Sequence, residues 1–542
     1  MSNALFTLPK PKNEPVYDYA PGSPERELLR KEIERQKKEK IEIPVIIGGK
    51  EIKTGDTAEA VCPHDHNHVL ATYHKAGEKE IKMAVDAALE AKENWEKMPW
   101  NARAAIFLKA GHLLSTKYRY ILNAATMLNQ SKSVNQAEID SCCELVDFFR
   151  FNAYYMQEIY KEQPMHNPEG MWNRLEYRPL EGFVFAVTPF NFTSIAGNLP
   201  SSPALMGNTV VWKPASTSVY SGYVLMQLFK EAGFPDGVIN FIPGRGSEVG
   251  KHVLPHKDLA GIHFTGSTGV FQRMWKVVGE NIENYKTYPR IVGETGGKDF
   301  IMVHNTADAR QVAVAAVRAA YEYQGQKCSA ASRMYVPSSK WDEILGHMKD
   351  MVREIKMDDV ENFGAFMNSV IDENSFNDIT AYIERAEESD KAEIVYGGGS
   401  DKSKGYFIEP TLIKTTDPHY ETMEEELFGP VLTVYVYEDE KFEETIDILD
   451  KTSPYALTGA LFCSDRNIIE SASWKLRNAA GNYYINDKPT AAVVGQQPFG
   501  GARGSGTNDK AGSHVNLLRW TSQRTIKETF NPPTDHTYPF MK

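Results

Sequence analysis

From Gly182 onward the chain repeats one pattern that few folds satisfy. Short, uniformly apolar runs (FVFAV, NTVVW, VINFI, GIHFT) are each followed by a helical stretch, such as SVYSGYVLMQLFKEAG or VFQRMWKVV. A strand that is apolar without alternation must be covered on both faces, and helices recurring between strands provide that cover. The pattern therefore predicts a doubly wound, Rossmann-like α/β domain, and helices closing at glycine, as in KEAG, support its boundaries. A second alternation starts near Asp299 with DFIMV, a helix from Asp308 to Tyr321, and SRMYVP. It continues through VLTVYVY, LTGALFC and GNYYIND and reads as a second α/β domain. A chain of 542 residues exceeds what one core normally serves, so a cleft between two packed domains is expected.

Outside these domains, residues 1–24 are Pro-rich and irregular. SPERELLRKEIERQKKEK then predicts a helix capped by Ser23 and packed through Leu28, Leu29 and Ile33. IPVIIGGKEIK predicts a hairpin around Gly48 and Gly49, and two long helical stretches follow from about Glu78 to Leu145. The tail RWTSQRTIKETFNPPTDHTYPF has no core of its own and reads as an arm docking on a partner subunit. A net charge of -12 argues against a sequence-independent grip on nucleic acid, which relies on cations neutralising phosphates. Five cysteines in a chain this long suit a reducing compartment better than a disulfide framework. No apolar run approaches the roughly 18 residues that a membrane span needs. The start is neither a signal peptide nor an acid-poor transit peptide, so the cytosol is expected, with the mitochondrial matrix as the alternative for a mature form.

The candidate nucleophile is Cys328, in YEYQGQKCSAASRMYV, after an Ala-rich helix and before a strand. Its small neighbours leave room for a substrate, and the adjacent Lys327 is expected to favour the thiolate that attacks carbonyls. Cys142 and Cys143 read as packing residues. Glu294, at the end of an apolar strand in RIVGETGGKDF, is a candidate general base for hydrolysing a thioester. Asn191, in TPFNFTS, and the Cys328 backbone N–H are candidate oxyanion donors. FTGSTGV follows a strand and opens a helix, where a dinucleotide pyrophosphate can sit. Lys213 ends a strand within hydrogen-bonding reach of a ribose, and PGRGSEVG reads as a strand-to-helix turn. CPHDHNH carries zinc-type ligands, but they are crowded without a second pair, so a turn between strands is expected.

Together PFNF, WKP, FTGST, GETGGK, GQKCSA and EELFGP, in this order over about residues 45–525, resemble the aldehyde dehydrogenase superfamily. The resemblance implies Cys328 as nucleophile, Glu294 as general base and Asn191 as oxyanion donor. For NAD it implies Thr188, Phe190, Lys213, Gly266, Ser267, Thr268, Gly269, Val270, Glu426 and Phe428. Ser216 stands where many NAD-preferring relatives have an acid, which leaves room for some NADP use. It also implies an NAD-binding domain over 45–160 and 181–298, a catalytic domain over 299–510, an arm from 161–180 and 511–542, and an N-terminal extension over 1–44. A homodimer or dimer-based oligomer is implied, with a small-molecule substrate and no nucleic acid or membrane partner.

Longer stretches, including QAEIDSCCELVDFFRF and INDKPTAAVVGQQPFGGARGSGTNDKAG, resemble the delta-1-pyrroline-5-carboxylate dehydrogenases. This implies oxidation of L-glutamate gamma-semialdehyde to glutamate, with another semialdehyde dehydrogenase of the same fold as the alternative. Glu144 would meet the substrate ammonium, Ser329 and the backbone N–H groups of Ala491 and Ala492 its carboxylate, and Phe190 with Phe499 would sandwich its methylenes.

Overall fold

The computed structural model describes residues 4–542. Its centre is two seven-stranded sheets. The first runs, edge to edge, through Arg290–Glu294, Leu259–Thr265, Phe183–Val187, Thr209–Lys213 and Ile239–Phe241, all parallel, and ends in the antiparallel hairpin Val45–Ile47 and Lys50–Ile52. Phe183 to Ala186 and Thr209 to Trp212 are buried without alternation, as strands covered on both faces must be. From Phe183–Val187 the chain winds one way through the next two strands, then returns to lay Leu259–Thr265 on the other side. Strand order therefore reverses between Phe183–Val187 and Leu259–Thr265. The crevice beyond the carboxyl ends of such a pair is where open α/β sheets bind ligands.

The second sheet runs Ala392–Tyr396, Thr411–Thr415, Val431–Tyr437, Ala331–Pro337, Asp299–Val303, Thr458–Phe462 and Asn482–Ile485, with only the first strand antiparallel. Residues 295–298 alone separate Glu294, which ends the first sheet's edge strand, from Asp299, which begins a central strand of the second. This short link brings the carboxyl ends of one sheet to the amino ends of the other.

The N-terminal helix spans Pro24–Lys38, with the Ser23 hydroxyl accepting from Arg26 N–H. Leu29 and Ile33 pack it, whereas Leu28, expected to help, lies 46% exposed on the opposite face. The two expected helical stretches are three long α-helices, Glu78–Lys97, Trp100–Ser115 and Arg119–Gln130, followed by the one-turn α-helix Val134–Ala137 and a π-helical segment, Glu138–Glu144, that continues into Leu145–Lys161. Pro99 breaks the first, because the residue before proline disfavours the helical conformation. Of CPHDHNH only Pro63 and His64 form the turn, while Cys62 ends the strand Thr57–Cys62 and Asp65 to His68 open the strand Asp65–His74. Cys142 and Cys143 are buried.

Met171–Pro179 and Thr521–Thr529 pair along their whole length as a separate antiparallel ribbon. The expected arm began at residue 511, but the structure roots that part in the body. Trp520 is fully buried against His263, its ring 4.7 Å away, and its carbonyl accepts from Asn208 Nδ2 at 2.9 Å. The ribbon's second strand therefore starts at Thr521. No helix is long and apolar enough to cross a membrane among the described residues.

Candidate active site

Cys328 sits on a loop held in an unfavourable shape. Tyr323, Gln324 and Gly325 all have left-handed backbone angles (φ 54°, 56° and 67°), a conformation that bulky residues adopt only when their surroundings over-determine it. Those surroundings are visible. The Gln324 amide donates to the carbonyls of Ser131 (3.0 Å) and Ser369 (2.7 Å) and accepts from Asn368 N–H (3.0 Å). Gln326 accepts from Ile371 N–H through its side chain (2.9 Å) and from Asn191 Nδ2 through its carbonyl (3.0 Å). Asn191 thus ties the Cys328 loop to the first sheet with one amide N–H, and its second N–H has no partner among the described residues. A Cβ on Gly297 would overlap the Cys328 carbonyl, and one on Gly296 the Glu426 carboxylate. The two glycines of GETGGK are close-approach residues.

The Cys328 thiol is 8% exposed. Burial raises its pKa well above the usual value, and the nearby Asp299, Glu426 and Glu294 carboxylates add to the rise. Lys327 does not supply the expected counter-charge. Its ammonium turns to Glu322 at 3.1 Å, and burial lowers its own pKa to about 8. Resting Cys328 is therefore a thiol, and any attack by its sulfur requires loss of that proton. Glu294 is raised well above the carboxylate range by burial, which makes its ionised form a stronger base than a free carboxylate. One of its oxygens accepts from Gly501 N–H at 2.7 Å.

Cys328 and Glu294 line a cavity of about 150 Å³ that also receives Glu144, Ser329, Ala492 and Phe499. Glu144 ends the π-helical segment, a wider turn that interrupts the α-helical phase and is frequent at functional sites. Burial, with Asp140 nearby, raises Glu144 to about 8, and the Ser194 hydroxyl donates to it at 3.1 Å. Ala491 packs against the catalytic-domain core, so only its backbone can serve a substrate. Phe190 does not face this cavity. It packs edge-on against Phe428, with ring centres 5.8 Å apart, and Phe192 and Phe148 line the cavity with Phe499 instead.

Residues expected to hold the dinucleotide gather at the crevice of the first sheet. Thr188 follows the strand Phe183–Val187, and its hydroxyl accepts from Trp212 Nε1 at 3.0 Å. Lys213 ends the neighbouring strand. Burial lowers its pKa to about 8, and its ammonium makes no hydrogen bond among the described residues. Ser216 opens a 3-10 turn beyond it. Gly266 follows the strand Leu259–Thr265, and Ser267 caps the helix Thr268–Glu280 without spending its side chain on the cap. Gly269 faces open space and Val270 is exposed. Thr268 instead donates across the cleft to Thr295 (3.1 Å) and Tyr455 (3.2 Å) hydroxyls. Glu426, raised to about 7 by burial, accepts from Gly297 N–H at 2.9 Å, and Phe428 holds a left-handed φ of 57° beside it.

Sequence reasoning missed the support beneath the cavity. Lys132, fully buried, donates to Asp140 at 2.6 Å and lies over the rings of Phe192 (4.2 Å) and Tyr323 (4.5 Å). Asp140 accepts from the N–H groups of Thr193 and Ser194, both at 2.9 Å, and so caps the helix that follows Phe192. The one available signal was the acid four residues before Glu144; nothing marked the lysine in NQSKSV as buried.

Residues 51–526 match the aldehyde dehydrogenase family. The delta-1-pyrroline-5-carboxylate dehydrogenase of Dictyostelium discoideum, named mitochondrial, is 55% identical over 540 residues, covering 99% of this chain and 97% of that protein. The human enzyme of the same name, also mitochondrial, is 47% identical over 534 residues, covering 98% and 95%. A crystal structure of the Mycobacterium tuberculosis delta-pyrroline-5-carboxylate dehydrogenase bound with NAD superposes with a TM-score of 0.96 at 49% identity, covering 100% of both chains. On this evidence the chain belongs to the aldehyde dehydrogenase family.

Proposed function

We propose that the protein oxidises L-glutamate gamma-semialdehyde, the open form of delta-1-pyrroline-5-carboxylate, to L-glutamate with NAD, the second step of proline degradation. The observation that carries this reading is the pairing of Glu144 with Cys328 in one cavity. Among the described residues the Glu144 carboxylate has no cation as hydrogen-bond partner, whereas a substrate ammonium would satisfy it. Ser329 and the backbone N–H groups at 491 and 492 suit an α-carboxylate, and Phe192 and Phe499 suit the methylenes between the two ends.

The chain's residues fit NAD. Lys213 carries an ammonium in need of acceptors, and the free helix start at Ser267 offers N–H groups to a pyrophosphate. Cys328 gives up its proton to solvent as the aldehyde binds, and the thiolate attacks the aldehyde carbon. The oxyanion that forms accepts from the uncommitted Asn191 N–H and the Cys328 backbone N–H. NAD held by Lys213, the helix start at Ser267 and Glu426 would supply the acceptor for the hydride that the adduct on Cys328 loses in becoming a thioester. Glu294 then removes a proton from water; the water oxygen bonds to the acyl carbon, the C–S bond breaks, and glutamate leaves with the thiol restored.

The ribbon of Met171–Pro179 and Thr521–Thr529 supports a homodimer or dimer-based oligomer, because Trp172 and Phe530 are half exposed or more on it. The mitochondrial names of the Dictyostelium and human relatives favour the mitochondrial matrix over the cytosol. NADH formation tests the reading. The equilibrating pyrroline-5-carboxylate mixture should be oxidised fast and succinic semialdehyde slowly; the reverse preference overturns the substrate assignment while keeping Cys328 as nucleophile.

A further inference from the structure

The N-terminal segment, outside the family match, reaches the substrate end of the cavity. Glu14 anchors it, with Arg119 Nη1 and Arg150 Nη1 both donating to its carboxylate at 2.7 Å, and the Tyr19 hydroxyl donates to Glu138 at 2.8 Å. Just before this anchor, Asn13 uses both N–H bonds of its amide. One goes to Asp147 Oδ2 at 2.7 Å, the other to the carbonyl of Val494 at 2.8 Å, and its oxygen accepts from Gln496 Nε2 at 3.0 Å.

The two things it joins are the two ends of the proposed substrate site. Asp147 lies three residues after Glu144, at the start of the same continuous helical run. Val494 lies two residues after Ala492, on the loop whose backbone N–H groups face the α-carboxylate. That loop's own bonds are local: the N–H groups of Gln496 and Gln497 donate to the Val493 carbonyl, and Val493 N–H donates to the Gln497 side chain. Among the described residues its hydrogen-bonded tie to the helix Leu145–Lys161 runs through Asn13.

We infer that Asn13 is a positioning residue for specificity: it sets the separation between the ammonium site at Glu144 and the carboxylate site at 491–492. The enzyme would then select aldehydes bearing both charged groups on one α-carbon. This rests on the substrate reading above. Asn13 touches neither the aldehyde nor Cys328, so the step it influences is recognition.

The test compares Asn13→Ala and the near-isosteric Asn13→Asp with wild type on two substrates, glutamate semialdehyde and propanal, which lacks both charges. Losing a bridging hydrogen bond should raise KM for glutamate semialdehyde about tenfold, leave kcat within about twofold, and leave kcat/KM for propanal within about twofold. An unchanged KM, or equal losses on both substrates, overturns the inference. Should both Asn13 variants fail to fold, exposed Gln496→Ala removes the bond by which the 493–497 loop holds the Asn13 side-chain oxygen. It should show the same KM split at about threefold, and no split overturns the inference equally. Wild-type protein inactive on glutamate semialdehyde but active on propanal would instead bring down the substrate reading itself.

Discussion

The two seven-stranded sheets present opposite ends to one cleft, and their side chains there are in opposite states. At the carboxyl ends of the first, polar groups stand uncommitted: Lys213 has no hydrogen-bond partner among the described residues, the Ser267 side chain is free of the helix cap, and Gly269 faces open space. At the amino ends of the second, groups are locked. Asp299 accepts from Thr458 N–H at 2.7 Å, Gln324 has three backbone partners, and Cys328 rides on a loop of strained residues. A ligand that must come and go needs unsatisfied partners. A nucleophile needs a position that does not relax, since misplacement at the reacting atom is expensive in rate. The difference explains why one half of the cleft reads as a cofactor seat and the other as the chemical centre.

The largest effect should separate the halves outright. Cys328→Ala is expected to abolish turnover while leaving NAD affinity, measured by calorimetry, within about twofold, because the lost atom belongs to the loop that leads into the second sheet and not to the cofactor side. A retained dehydrogenase rate would break the comparison. Glu294→Gln should lower steady-state kcat by about 10²–10⁴ and leave a burst of NADH in the first turnover, since deacylation loses its base. A stopped-flow trace with no burst would move Glu294 into the acylation step instead.

Glu144→Gln should raise KM for glutamate semialdehyde by about ten- to a hundredfold, the effect of removing a charge-assisted partner. It carries a pH signature. Burial raises Glu144 to about 8, so its carboxylate is protonated below that pH and ionised above it. Ammonium binding should tighten, and KM fall, as pH rises from 7 to 8.5 in wild type, and this slope should vanish in the variant. The smallest effect belongs to the cofactor side. Lys213→Ala should raise KM for NAD about tenfold with kcat nearly unchanged, and a large kcat loss would show that the first sheet is less separate than its open groups suggest.

The sheets were legible because burial on both faces imposes unbroken apolar runs, and FVFAV and DFIMV sit where those runs place them. Cys328, Glu294 and Glu144 were legible through motif and chemistry, and the structure brings them to one cavity. What escaped depended on direction. Phe190 and Phe192 flank Asn191, and nothing local says which ring faces a cavity and which packs on Phe428. Lys327 adjoins Cys328 in sequence yet points to Glu322. Pro99, by contrast, was a readable break within the region where two helical stretches were expected.

The central claim is a covalent glutamyl thioester on Cys328. Its most direct test mixes Glu294→Gln with NAD and glutamate semialdehyde, quenches in acid during the burst, and maps the mass of the protein and its peptides. The account predicts one glutamyl group per chain, on the peptide containing Cys328 and released by hydroxylamine. No adduct, or one carried by Cys142 or Cys143, would contradict it.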